Sequence, residues 1–133
     1  MYEITRNNVV LARHIVLDDI KNGLNFFSKD SDFLQVGIWG NYEDGKVLNN
    51  HIHNLVDRRI NRTHEVLYVI EGSIKASIYD LNKNIVETIT ISKGEILVLM
   101  ECGHGYEVTA DNTSVLEIKN GPYLGADIDR VRF

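Results

Sequence analysis

His51 and His53 stand two residues apart, and Glu65 further on opens an apolar run, Val66 to Ile70, that ends near Gly72. Side chains on a strand alternate faces, so His51 and His53 would point the same way. Two imidazoles and a carboxylate from a neighbouring strand make up most of a site for a divalent transition metal. A further imidazole is needed from elsewhere, and His104, just after Gly103, is the candidate. Open coordination positions on such a metal would admit water or substrate.

Other groups compete for roles in this site. His64 precedes Glu65 and lies on the other strand face, so it reads as a supporting or structural residue, with ligation as the alternative. Cys102 reads as an inert buried thiol, with ligation again the alternative because His104 is close. His14, alone, reads as hydrogen-bonded or facing solvent. Between the histidine pair and Glu65 runs Asp57-Arg58-Arg59-Ile60-Asn61-Arg62. It is either a solvated charged loop or a clamp for a carboxylate or phosphate, since guanidinium groups suit two-point contacts with such anions. Arg62 is nearest to Glu65 and is the best of the three arginines for that role. Tyr106 and Tyr68 are candidates for the pocket wall or for the core, and Tyr106 for a proton donor. Glu117 and Lys119 share a strand face and are placed to pair.

Positioning these groups requires β-structure. Val9 to Val16 reads as a strand with a polar interruption at Arg13-His14, and Leu17 to Gly23 as one short helical turn ended by glycine. Leu24 to Phe27 is expected to pack on the body of the domain. Strands are predicted over Phe33–Trp39, Lys46–His53, Glu65–Glu71, Ser73–Asp80, Ile85–Ile91, Glu95–Met100, His104–Ala110 and Val115–Lys119. Glu43-Asp44-Gly45 carries an Asp-Gly hairpin signal. Both faces of the Glu65 strand are apolar, which predicts cover on both sides. A carboxylate at its entry would then need a cation. In the later strand His104, Tyr106 and Val108 share the inward face. Short strands at this spacing, with almost no helix, predict a sandwich or barrel.

The 133 residues suffice for one domain with its own core, so a metal here would serve function rather than folding. A formal charge of −5 argues against nucleic acid as a partner. The lone cysteine permits no internal disulfide, which fits a reducing compartment. No signal-like segment and no stretch of membrane-span length is evident, so a soluble cytoplasmic protein with no membrane partner is expected. The tail from Gly121 to Phe133 is expected to wrap the body or a partner subunit.

The stretch from Gly45 to Gly72 resembles the first motif of the cupin superfamily, small β-barrels that carry Gly-x5-His-x-His-x3-4-Glu-x6-Gly. Gly45, His51, His53, Glu65 and Gly72 fall on it, and Gly94 through His104 resembles the second motif, Gly-x5-Pro-x-Gly-x2-His-x3-Asn. Eleven residues separate His53 from Glu65 instead of three or four, the second motif is one residue short before its histidine, Met100 stands at the usual proline, and Val108 at the usual asparagine. A longer loop costs little, because closure entropy grows slowly with length. The resemblance covers about residues 33–119 and implies an all-β, cupin-type jelly-roll barrel with a short N-terminal helical turn. It also implies His51, His53, Glu65 and His104 as ligands of one divalent metal (Fe, Mn, Ni, Zn or Co), and pairing as a homodimer. The stretches DFLQVGIWGNY, GHGYEV and IKNGPY are similar to small cupins associated with surface-polysaccharide gene clusters. Two functions follow as expectations. One is a metalloenzyme with isomerase, epimerase or oxygenase chemistry on a small polar, anionic or sugar-derived substrate, with Arg62 holding the anion and Tyr106 moving a proton. The other is a non-catalytic module that captures a small ligand or carbohydrate. Acid–base chemistry by the histidines without a metal is a third, weaker expectation.

Overall fold

The computed structural model describes all 133 residues. Ten strands form: β1 (Tyr2–Arg6), β2 (Val9–Ile15), β3 (Gly23–Phe26), β4 (Gly37–Gly40), β5 (Glu65–Glu71), β6 (Ser73–Tyr79), β7 (Ile85–Ser92), β8 (Ile96–Leu99), β9 (Gly103–Val108) and β10 (Ser114–Lys119). A 3-10 turn over Leu17–Asp19 and one helical turn, α1 (Ala126–Asp129), complete the elements. No helix is long and apolar enough to cross a membrane. The chain divides into two compact units, residues 1–19 with 62–133, and residues 20–61.

The larger unit is all antiparallel β. One sheet has the order β1-β2-β8-β5-β10 and the other β7-β6-β9, and neither closes on itself. Period-two alternation explains the layering. On β6 Ile74, Ala76 and Ile78 are buried while their neighbours are half-exposed, and on β5 Glu65, Leu67 and Val69 are the buried set. Residues of both sheets, among them Leu67, Val69, Ile74, Ile78, Leu97 and Leu99, join in one core.

Two polar residues that read as an interruption sit inside β2. Arg13 is buried and its Nε donates to Glu3 Oε1 at 2.8 Å, while His14 Nε2 lies 2.8 Å from Glu95 Oε2. The expected cover on both faces of β5 is not found: Tyr68 and Ile70 remain exposed. Aromatic and β-branched residues favour strands whether or not they are buried, and an antiparallel sheet tolerates one open face. Between β5 and β6, Gly72 makes a tight turn at φ 75° against Thr113.

The tail packs on this same unit. Thr63 Oγ1 donates to Asp129 Oδ1 at 3.1 Å, and the Phe133 ring meets Tyr79 edge-on with centroids 5.1 Å apart.

The smaller unit has one two-stranded ribbon, β3 with β4, pairing Leu24 with Trp39 and Phe26 with Gly37. Leu24 and Phe26 are exposed and only Phe27 of that run is buried, so the expectation that residues 24–27 pack inward is corrected to an open ribbon. The predicted strand over Phe33–Trp39 shrinks to Gly37–Gly40. The Asp44-Gly45 turn forms, with Lys46 N donating to Glu43 O at 3.2 Å, yet the predicted strand Lys46–His53 does not. Asn49 and Asn50 are poor strand formers, and no neighbouring strand pairs with this backbone.

Candidate functional site

The larger unit brings two of the predicted site residues together. Glu65 is the first residue of β5 in one sheet, and His104 the second residue of β9 in the other. Register fixes both directions. His104 lies opposite Ile78 and Tyr106 opposite Ala76, both on the core side of β6. Glu65 lies opposite Lys119 at the end of β10. The outcome is a polar group of side chains between two sheets, at one end of the core.

In that group Glu65 is the hub. Its Oε2 stands 3.4 Å from His104 Nε2 without forming a hydrogen bond, and its Oε1 accepts from Lys119 Nζ at 3.4 Å. Lys119 also pairs with Glu117 Oε1 at 2.5 Å, and these two carboxylates, Glu117 first, raise the lysine pKa and keep it charged. A mostly buried carboxylate is expensive unless cations surround it, and one ammonium at 3.4 Å offsets only part of that cost. Glu65 Oε2, His104 Nδ1 and both ring nitrogens of His64 are buried with no hydrogen-bond partner. Native proteins leave few such atoms unsatisfied, which marks this end of the core as the candidate site.

The surrounding residues tune protons. The Tyr106 ring stacks on His104 with centroids 5.3 Å apart. Burial first, and then the Glu65 carboxylate, push the Tyr106 pKa well above its ordinary range, so its hydroxyl stays protonated and available as a donor. His64 is buried, and its backbone N–H donates to Asn120 Oδ1 at 2.8 Å. Its Nε2 stands 3.9 Å from Glu101 Oε1. The other oxygen of Glu101 accepts from Arg62 Nε at 2.8 Å, so the predicted anion clamp is already occupied by a carboxylate of the protein itself.

Burial pushes the Cys102 thiol up to about 11, with Glu65 and Glu101 adding to the shift and the Met100 backbone and Arg62 opposing it. At pH 8 Cys102 is therefore expected to react with iodoacetamide about tenfold or more slowly than free cysteine, because the thiolate is the nucleophile. Alkylation at the free-cysteine rate would refute that protonation state.

His51 and His53 belong to the smaller unit, on an irregular and exposed segment. Their rings meet edge to face at 5.1 Å, and His51 Nδ1 lies 3.1 Å from Asn49 O. The strand alternation expected to align them is absent, so their proximity comes from the loop. Arg58 and Arg59 are exposed in the same unit, with Arg59 Nε 3.9 Å from Asp57.

In the larger unit the gathering of ligand-type groups stops short of three: no three His, Cys, Asp or Glu side chains stand together as a metal cluster. The pair Glu65 and His104 does fit a shared cation. Ligands each about 2.1 Å from one metal lie roughly 3.0–3.4 Å apart at octahedral to tetrahedral angles, and the observed spacing of 3.4 Å falls at that limit.

Lys119 against Glu65, Glu101 between Arg62 and His64, and the Asn120 clasp on the His64 backbone are what sequence reasoning missed. The β5–β10 register sets Lys119 opposite Glu65; nothing local in the sequence points to Glu101. No protein family, curated protein or solved structure matches this chain.

Proposed function

We propose that the chain is a cupin-type jelly-roll protein, cytoplasmic and dimeric, that holds one divalent transition metal (Fe, Mn, Ni, Zn or Co). It would act as a metalloenzyme on a small polar or anionic, sugar-derived substrate by isomerase, epimerase or oxygenase chemistry. Glu65 and His104 supply two ligands in this reading; His51 and His53 enter it from the sequence motif alone. The observation that carries it is the Glu65 Oε2 to His104 Nε2 approach at 3.4 Å, with that buried carboxylate oxygen left without a well-formed hydrogen bond. A bound divalent cation supplies Lewis acidity toward a substrate carbonyl or hydroxyl. Tyr106, held neutral, donates a hydrogen bond to an oxygen that gains charge, and Arg62 exchanges Glu101 for an anionic group of the substrate.

The test is elemental analysis of the purified protein and of His51→Ala. Close to one equivalent of metal in the first and a clear deficit in the second is expected; equal content in both would remove the loop histidines from the ligand set. A second reading is acid–base chemistry by Glu65, His104 and Tyr106 with no metal. It is favoured by Lys119 Nζ at 3.4 Å from Glu65 Oε1, a cation already supplied by the chain. Turnover that survives exhaustive chelation would select it.

A further inference from the structure

Beside Glu65 the larger unit buries an imidazole that has nothing to hold. The side chain of His64 is only 5 % exposed, and both of its ring nitrogens lack a hydrogen-bond partner. Its Nε2 stands 3.9 Å from Glu101 Oε1, about 1 Å beyond an ordinary N–H to oxygen hydrogen bond. The other oxygen of the same carboxylate accepts from Arg62 Nε at 2.8 Å. One carboxylate therefore stands between two donors and satisfies only one of them.

The donors are braced, and the group between them is not. Asn120 Oδ1 accepts from the His64 backbone N–H at 2.8 Å, and Asn120 Nδ2 donates to the Arg62 carbonyl at 3.5 Å. His64 also leads directly into β5, a strand paired on both sides, with β8 and with β10. Glu101 lies instead in the bend between β8 and β9, with its side chain 43 % exposed. Tethered there, its carboxylate reaches Arg62 but not His64. Arg62 is nearly half exposed as well, so the place opens to solvent. An ion pair this exposed is weak, which makes Glu101 displaceable.

We propose that Arg62 and His64 form a binding site for the carboxylate of a small molecule, with Glu101 as a built-in stand-in that the ligand displaces. The group now between the donors is planar, with one oxygen toward each, and this names the class of ligand. A carboxylate free of the Glu101 tether sits deeper and meets both donors at hydrogen-bond distance. An unpaired buried donor is costly and a charge-assisted contact is strong, so the free group gains what Glu101 forgoes. Glu101 returns when the ligand leaves, which keeps Arg62 paired between occupants. That the carboxylate belongs to a substrate rests on the proposed function; the binding itself does not, and its test needs no metal.

Acetate is the probe. The isotope-labelled full chain is titrated at constant ionic strength, and nuclear magnetic resonance follows the Arg62 Nε–H and His64 ring signals. Glu101→Ala removes the competitor, and its acetate affinity is expected to exceed that of the natural chain by about tenfold or more. Both sets of signals should move along one saturable curve. Equal affinities would overturn the proposal, as would His64 signals that stay still or shifts that chloride reproduces. Tighter binding of inorganic phosphate than of acetate to Glu101→Ala would overturn the carboxylate as the ligand class. His64→Phe in the Glu101→Ala background removes the second donor and is expected to weaken acetate binding by about fivefold or more; unchanged affinity would remove His64 from the site. Where that double variant does not fold, the His64 ring signals of Glu101→Ala decide. The metal content of His51→Ala bears on the metal ligands and leaves these affinities unchanged, so the two ideas fail separately.

Discussion

Glu65→Gln is expected to weaken divalent-metal binding by about a hundredfold or more while leaving the chain folded. Groups that only orient a ligand cost ten- to a hundredfold when removed, so loss of an anionic ligand belongs at or beyond that upper end. Glutamine keeps the volume and one carbonyl acceptor. The substitution removes a charge that is mostly buried, which relieves desolvation, and Lys119 retains Glu117 at 2.5 Å. The two effects oppose one another, so stability should change by no more than about 1 kcal/mol. Calorimetric titration with Ni(II) or Co(II), alongside a thermal melt, separates the outcomes. Unchanged affinity would strip Glu65 of its ligand role, and a collapse in melting temperature would make it a structural residue.

The largest expected loss of stability comes from Gly72→Ala. Gly72 turns the chain between β5 and β6 at φ 75°, where an L side chain costs about 1–2 kcal/mol. Its added Cβ would also sit 2.2 Å from Thr113 Oγ1 and 2.8 Å from Thr113 Cα. Thr113 is poorly placed to yield, because its hydroxyl accepts from Ser73 N at 3.2 Å and donates to Ala110 O at 2.7 Å. Strain and overpacking together should cost about 3–5 kcal/mol, a fall in melting temperature of about 10 °C or more for a domain of this size. A melt within about 2 °C of the parent would show that the turn can relax.

The second half of the chain was largely legible. From Glu65 onward the strands fall within a residue or two of their predicted bounds, because period-two patterns alternate there with glycine and Asn-rich turns. The first half was not. Charged residues dilute the alternation of Tyr2–Arg6, and Gly23–Phe26 forms a ribbon whose apolar side chains face solvent. The predicted strand over Lys46–His53 that would align the histidine pair is absent, since no second strand pairs with that backbone after the Asp44-Gly45 turn. Glu65 stood out as a carboxylate at the mouth of an apolar run. That His104 would meet it depended on two sheets stacking, and Lys119 on strand register, which local pattern does not encode.

Because Glu65 and His104 come from opposite layers of the sandwich, neither sheet alone can assemble the pair. The site should therefore appear late as the chain folds, once the layers have closed on their shared core. A cation or ligand bridging the two residues would act as a clasp between the layers and raise the melting temperature as its concentration rises.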